Sequence, residues 1–288
     1  DSGAQLAVTQ GRVFLLNIFT PLVTNAAMSI ATQVSTSVYN FVIYFQSSFN
    51  PQITKASAQN NQKYLQDLVN QTSKFSYFMV FALTLPILLN MQGILSIWLK
   101  DVPDYTATFC SITLLYYLVE SLSGPLWTTT WATGNIRNYQ ITVSLIRILT
   151  LPATWLLLKY GMEPFWVLVI WVLLNGICYI YRLLYANKHN GIPLRPYFKE
   201  VVLPVVSVTA LSVPLPLLTH YLLSNRTATT LFSNQTATAL LSHHAPAALL
   251  PDLLITTLVS LAATGVLIWI LGLKPSEKKH IKQALKKP

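Results

Sequence analysis

Long apolar stretches separated by short polar segments are the main pattern of this sequence. Eight of them approach or exceed the roughly 20 residues that a helix needs to cross the hydrocarbon core of a membrane. Lipid offers no hydrogen-bond partners to the backbone, so these stretches are predicted to be helices rather than strands. The predicted spans are 4–23, 27–49, 75–98, 106–131, 140–158, 164–185, 201–223 and 252–273.

Proline and glycine mark the predicted breaks between the spans. The residue before a proline avoids helical backbone angles, so Asn50-Pro51 is predicted to end the second helix. The polar segment 52–72 is then predicted to lie as a separate helix along the inner membrane face. The other connections are predicted to be a tight turn at 132–139, a basic interfacial loop at 186–200 and an outer loop with little fixed structure at 224–250.

The composition supports a membrane protein and argues against a soluble one. Only 10% of the residues are charged and 53% are hydrophobic, whereas a soluble domain carries about a quarter charged residues. The net charge of +10 would suggest nucleic acid as the partner of a soluble protein. Here the charges form short clusters between apolar runs, so no nucleic-acid partner is predicted.

Lysine and arginine fall unequally on the two sides of the predicted spans. One side of the predicted membrane carries 14 basic residues, and the opposite side carries 3, namely Lys100, Lys159 and Arg226. The 14 are Lys55, Lys63, Lys74, Arg137, Arg182, Lys188, Arg195, Lys199, Lys274, Lys278, Lys279, Lys282, Lys286 and Lys287. Basic residues favour the cytoplasmic side, so this side and the basic tail 274–288 are predicted to be cytoplasmic.

Two ionisable residues stand out inside the fourth and fifth predicted spans, and their long side chains are expected to bridge the difference in depth between them. Glu120 is near the middle of the fourth span, and Arg147 is in the cytoplasmic half of the fifth. A charge facing hydrocarbon is unfavourable, so both are expected to face the interior of the helix bundle. Three interpretations remain: a structural ion pair, a cavity charge that contacts an anionic substrate or a coupling proton, and an Arg147 side chain that reaches the membrane surface.

The second span is unusually polar for a membrane helix. Its polar residues recur at three- and four-residue spacing, so they share a face that either lines a path for sugar hydroxyls or water or packs against another helix. The candidate lumen residues on this span are Asn25, Ser29, Thr32, Gln33, Thr36 and Asn40. Gly124 and Pro125, close to Glu120, are candidates for a hinge in the fourth span.

Signals of enzymatic chemistry are not found in the sequence. There is no glycine-rich phosphate-binding loop, and Cys110 and Cys178 lie in separate apolar stretches, as buried apolar residues do. His243 and His244 stand alone in the predicted outer loop. We therefore predict neither an enzyme nor a bound metal or cofactor.

Four motifs occur in an order that resembles a known family. Residues 50–55 read NPQITK, 121–125 read SLSGP, 132–140 read ATGNIRNYQ and 272–277 read GLKPSE. Together they resemble the C-terminal half of the polysaccharide biosynthesis and O-antigen flippases of Bacteroides-type bacteria, in the multidrug/oligosaccharidyl-lipid/polysaccharide exporter superfamily. The resemblance covers nearly the whole chain and is weakest at 224–250.

The resemblance implies an all-α integral membrane fold of two six-helix bundles, often with two further helices. Residues 1–273 would form the second bundle and the last two helices, and the first bundle would belong to a longer protein. It also implies a flippase of the bacterial inner membrane that moves an undecaprenyl-pyrophosphate-linked oligosaccharide, with membrane lipids and other polysaccharide assembly proteins as further partners. Arg147 would contact the anionic group, and Glu120 would orient it or carry a proton.

Three other functions stay open at the level of the sequence. A multidrug or cation exporter of the same superfamily would favour an acidic cavity, and a single acid beside an arginine argues against it. A polymerase or ligase of polysaccharide assembly would need functional residues in a large outer loop, where 224–250 offers only Arg226, His243 and His244. A scaffold subunit without transport is the third alternative.

Overall fold

The computed structural model describes residues 2–99, 101–134, 136–219, 221 and 245–284. These residues form helices and short connections, and no strand occurs among them. Most of the predicted outer loop, with Arg226, His243 and His244, lies outside the described residues. The all-helical class predicted from the apolar pattern is confirmed for the described part of the chain.

The helices follow one another with short connections. Two π-helical segments, Phe198–Val202 and Ile268–Gly272, continue the ninth and eleventh helices. The helices are α1 (Ser2–Phe19), α2 (Leu22–Ala58), α3 (Gln62–Leu89), α4 (Met91–Trp98), α5 (Thr106–Ala132), α6 (Arg137–Ile148), α7 (Thr150–Lys159), α8 (Phe165–His189), α9 (Leu194–Tyr197), α10 (Leu203–Ser212), α11 (Ala245–Leu267) and α12 (Pro275–Ala284).

Six helical segments in the described residues are long and apolar enough to cross a membrane. They are Gln62–Leu89, Thr106–Ala132, Arg137–Lys159, Phe165–His189, Leu194–Thr219 and Leu253–Gly272. The first two predicted spans are helices as well, but the apolar part of α1 is shorter (Leu6–Phe19) and α2 is long and polar. Membrane character is therefore supported by six helices, and the count of eight spans stays a prediction.

The predicted end of the second helix at Asn50-Pro51 is wrong. Helix α2 continues through Pro51 to Ala58. Proline removes one backbone hydrogen bond and strains the preceding turn by about 3 kcal/mol, but packing beyond it offsets that strain because Ile53 and Ala56 are almost fully buried. The predicted surface helix at 52–72 is consequently divided between the end of α2 and the start of α3.

Two predicted loops are also shorter than expected. Helix α8 extends to His189 and α9 begins at Leu194, so the basic loop predicted at 186–200 is reduced to a connection of a few residues around Gly191. Helix α11 begins at Ala245, inside the predicted loop 224–250. The turn predicted at 132–139 is present, and Gly134 adopts the left-handed backbone conformation there, with φ of 75°.

The chain folds as two compact units, residues 1–80 with 102–201 and residues 81–101 with 202–288. In the first unit, α5 is the central helix and packs against α2 on one side and α8 on another, while α1 packs against α6 and α7. Small residues on α2 (Ala27, Ala31 and Ser35) are fully buried and allow close approach. In the second unit α11 packs against α4 and α10, and Thr256 donates a hydrogen bond to Asn90 at 2.9 Å.

Candidate functional site

Glu120 and Arg147, predicted to be neighbours from their depth in adjacent spans, contact each other in the first unit. Nη2 of Arg147 on α6 donates to Oε1 of Glu120 on α5 at 3.3 Å. The two side chains are 12% and 14% exposed. Helix α6 follows α5 after the turn at Gly134, and both helices pack against α8, so the contact is made by two long side chains rather than by extensive packing of α5 on α6.

Arg182 completes the site, and the sequence interpretation missed it. Its charge was counted only among the basic residues of the cytoplasmic side, but it lies within α8 and is 1% exposed. Its Nη1 donates to both carboxylate oxygens of Glu120, at 3.2 and 3.3 Å. The signal was present in the spacing, because Arg182 continues the buried face of α8 that also holds Asn175 and Cys178. We call Glu120, Arg147 and Arg182 the charge cluster.

The two arginines of the charge cluster differ in how firmly they are held. Arg182 is almost completely enclosed and donates to both oxygens of Glu120, whereas Arg147 donates to Oε1 and its side chain is more exposed. Arg147 also lines a small crevice with Trp171 and Asn175. One carboxylate neutralises one guanidinium, so the cluster has an excess of positive charge, and Arg147 is the arginine better placed to meet an incoming anion.

The backbone next to Glu120 is shaped by Pro125. Proline has no N–H, so the carbonyl of Ser121 lacks its usual helical donor four residues later. Gln46 on α2 supplies the missing donor, with its Nε2 at 2.8 Å from the Ser121 oxygen and 2.9 Å from the hydroxyl of Ser76. Gly124 leaves the space for this side chain, since a Cβ at position 124 would collide with the Gln46 carboxamide. The candidate hinge pair Gly124 and Pro125 therefore packs against a buried glutamine.

Replacing Gly124 with alanine is expected to lower the free energy of unfolding by about 1–3 kcal/mol, because the displaced Gln46 would leave a buried carbonyl unsatisfied. Thermal unfolding of the purified protein in detergent measures the effect. Gly176→Ala is the matched control, since a Cβ at this helical glycine meets nothing within 4 Å and alanine favours a helix over glycine by up to about 1 kcal/mol. Equal melting temperatures for both variants would contradict the role assigned to Gln46.

The polar residues of α2 predicted to line a lumen lie away from the face that contacts α5. Ser29, Gln33 and Asn40 are exposed, and Thr32 and Thr36 are half-buried. The hydroxyls donate to carbonyls of their own helix, as Ser29 does to Asn25 at 2.9 Å, and Asn25 donates to Asn17 at 2.6 Å. The structure thus brings Glu120 and Arg147 together and gives the α2 residues a separate polar surface.

Metal-ligand clusters do not occur in the described part of the chain: no group of three or more His, Cys, Asp or Glu side chains converges there. Cys110 and Cys178 are buried free thiols. Comparisons with protein-family models, with curated proteins and with solved structures find no match for this chain. The family resemblance drawn from the four motifs consequently stays a proposal.

Proposed function

We propose that this chain belongs to a flippase that moves a lipid-linked oligosaccharide across the bacterial inner membrane for surface polysaccharide assembly. The observation that carries the proposal is the charge cluster, in which two arginines share one carboxylate between helices α5, α6 and α8. Intramembrane charges facing a bundle interior are typical of substrate and ion pathways. The proposed transport requires neither a catalytic residue nor a cofactor.

The sign of the excess charge supports an anionic substrate. A pyrophosphate-linked glycan carries negative charge, and a guanidinium is well suited to phosphate and carboxylate oxygens. In this proposal Arg147 contacts the anionic group and Glu120 orients Arg147 or carries a proton. An exporter of cationic drugs would need a negative cavity instead, and the finding of Arg182 beside Glu120 makes the surroundings of that acid more positive.

The proposed architecture places the polar face of α2 on the substrate path. Helix α2 has 37 residues, which at about 1.5 Å per residue is long enough to cross a membrane despite its polar composition. A helix that buries small residues against α5 and exposes Ser29, Gln33 and Asn40 on another side suits the border of a wet cavity. With α1 and α2 counted, the chain would have eight spans and would pair with a second bundle.

The proposed orientation keeps the carboxyl end in the cytoplasm. Lys74 and Arg182, counted before as loop residues, are buried in helices α3 and α8, so 12 basic residues remain on one side against 3 on the other. The excess of lysine and arginine on one side, which sets the orientation of a membrane protein, therefore remains after Lys74 and Arg182 are removed from the count. A green fluorescent protein fused behind residue 288 is expected to fluoresce, whereas an alkaline phosphatase fused there is expected to be inactive; the reverse result would contradict the orientation.

The test of the proposed function is restoration of surface polysaccharide. The complete gene is expressed in a bacterial strain that lacks its own flippase, and surface glycan and lipid-linked precursor are both quantified. We expect surface glycan to return and the accumulated precursor to fall. Expression at normal membrane abundance that restores no glycan but lowers the accumulation of cationic drugs would replace the flippase with a drug exporter.

A further inference from the structure

Arg12 is a second buried cation, outside the charge cluster, and it lacks a counter-charge on α1. Its side chain is 3% exposed, and its guanidinium carbon lies 4.0 Å from the ring centre of Trp171 on α8. Its Nε and Nη1 are buried and, among the described residues, have no hydrogen-bond partner. Contact with an aromatic ring is too weak to compensate for removing a guanidinium and its N–H groups from water.

The other charged groups near Arg12 increase the shortage of negative charge in this region. Tyr116 stacks on Trp171 with ring centres 3.6 Å apart, and both Arg12 and the members of the charge cluster lie within electrostatic range of its phenol. Three arginines and one carboxylate therefore lie near this pair of aromatic rings. The region has a net charge of about +2 in surroundings that resemble a membrane interior, where unpaired charges are strongly disfavoured.

A crevice opens beside the same two rings. It is lined by Tyr116, Trp171, Arg147 and Asn175, and by Val8, which lies one helical turn before Arg12. Its volume corresponds to about one water molecule. Arg147 carries guanidinium N–H groups, and Nδ2 of Asn175 donates one N–H to the carbonyl of Tyr116 at 3.3 Å and has a second. The crevice therefore combines positive potential and hydrogen-bond donors in a small space.

We propose that this crevice binds one small inorganic anion of the size of chloride, held by Arg147 and Asn175 and by the charge of Arg12. The anion neutralises one of the two excess positive charges. The site shares Arg147 with the proposed substrate path, but chloride binding does not depend on the identity of the substrate and is measured on the purified chain without it.

Chloride binding by the purified chain in detergent tests the proposal directly. Radiolabelled chloride is expected to saturate at about one ion per chain, and replacing gluconate with chloride at equal ionic strength is expected to raise the melting temperature by about 2–4 °C. Arg12→Met is expected to weaken chloride binding by about tenfold or more and to remove the difference in melting temperature.

The control is Lys159→Met, which removes another cation packed on a tryptophan, with Nζ of Lys159 at 4.6 Å from the ring of Trp155. Lys159 does not line the crevice, so this variant should bind chloride as the unmodified chain does. Asn175→Leu is a second test should Arg12→Met not fold, since it removes a donor and narrows the crevice. Absence of saturable binding in the unmodified chain, or undiminished binding in Arg12→Met or Asn175→Leu, would overturn the proposal.

Discussion

Replacing Arg182 with glutamine is expected to lower the free energy of unfolding by about 3–5 kcal/mol, the usual effect of removing one partner from a buried ion pair. Arg182 is 1% exposed, and its Nη1 contacts both oxygens of Glu120. Without it, Glu120 would keep only the single contact from Arg147 at 3.3 Å. Thermal and denaturant unfolding of the purified protein in detergent measure the loss.

A double-mutant cycle separates the ion pair from other effects of the substitution. Glu120→Gln combined with Arg182→Gln should be less destabilised than the sum of the two single variants, because neither charge is left alone. Arg182→Lys keeps the charge but loses the planar guanidinium, so its stability should lie between those of the wild-type protein and Arg182→Gln. An Arg182→Gln variant as stable as the wild type would show that α8 is not held by this pair.

Unlike Arg182→Gln, which is expected to destabilise the fold, Arg147→Gln is expected to reduce transport while leaving the amount of folded protein nearly unchanged. Arg147 makes one contact to Glu120, and that carboxylate retains Arg182 when Arg147 is removed. Loss of a charge-assisted hydrogen bond to the substrate of about 1.5–3 kcal/mol corresponds to a reduction of about 10- to 100-fold in transport. The restored surface glycan, normalised to the amount of protein in the membrane, is the measured quantity.

Arg137→Gln is the matched control for this prediction. It makes the same chemical change at the first residue of the same helix, where the arginine is exposed. We expect it to restore surface glycan as the wild type does. Full activity of Arg147→Gln, or equal losses in both variants, would remove Arg147 from the substrate path and leave it a structural partner of Glu120.

The contact between Glu120 and Arg147 was predictable because both residues lie well inside apolar stretches. A charged side chain facing lipid is strongly disfavoured there, so both side chains turn to the bundle interior. They meet because both are long, although α5 and α6 pack mainly against α8 rather than against each other. The same reasoning did not reach Arg182, which lies near the boundary between an apolar run and a basic segment. A charge at a boundary is compatible with either a loop or a helix, and only the buried face that it shares with Asn175 and Cys178 decides between them.

Helix ends were harder to predict than helix interiors. Breaks were predicted at Asn50-Pro51 and over 186–200, but the chain stays helical through the first and breaks only briefly, around Gly191, in the second. A residue before proline disfavours helical angles, but the free energy of this preference is small. The burial of Ile53 and Ala56, which becomes possible when α2 continues past Pro51, stabilises the helix by more. Such burial depends on the partner helices, so it cannot be read from the segment itself.

The hydrogen bond from Gln46 to Ser121 joins positions 75 residues apart in the chain, and it exists because Pro125 leaves that carbonyl without a helical donor. Any other residue at position 125 would bring its own N–H to the carbonyl and compete with the glutamine. The amide of Gln46 would then be a buried polar group with a lost partner, and an apolar side chain of similar size would suit its place better. Sequences that share this packing are therefore expected to retain both glutamine and proline or to replace both.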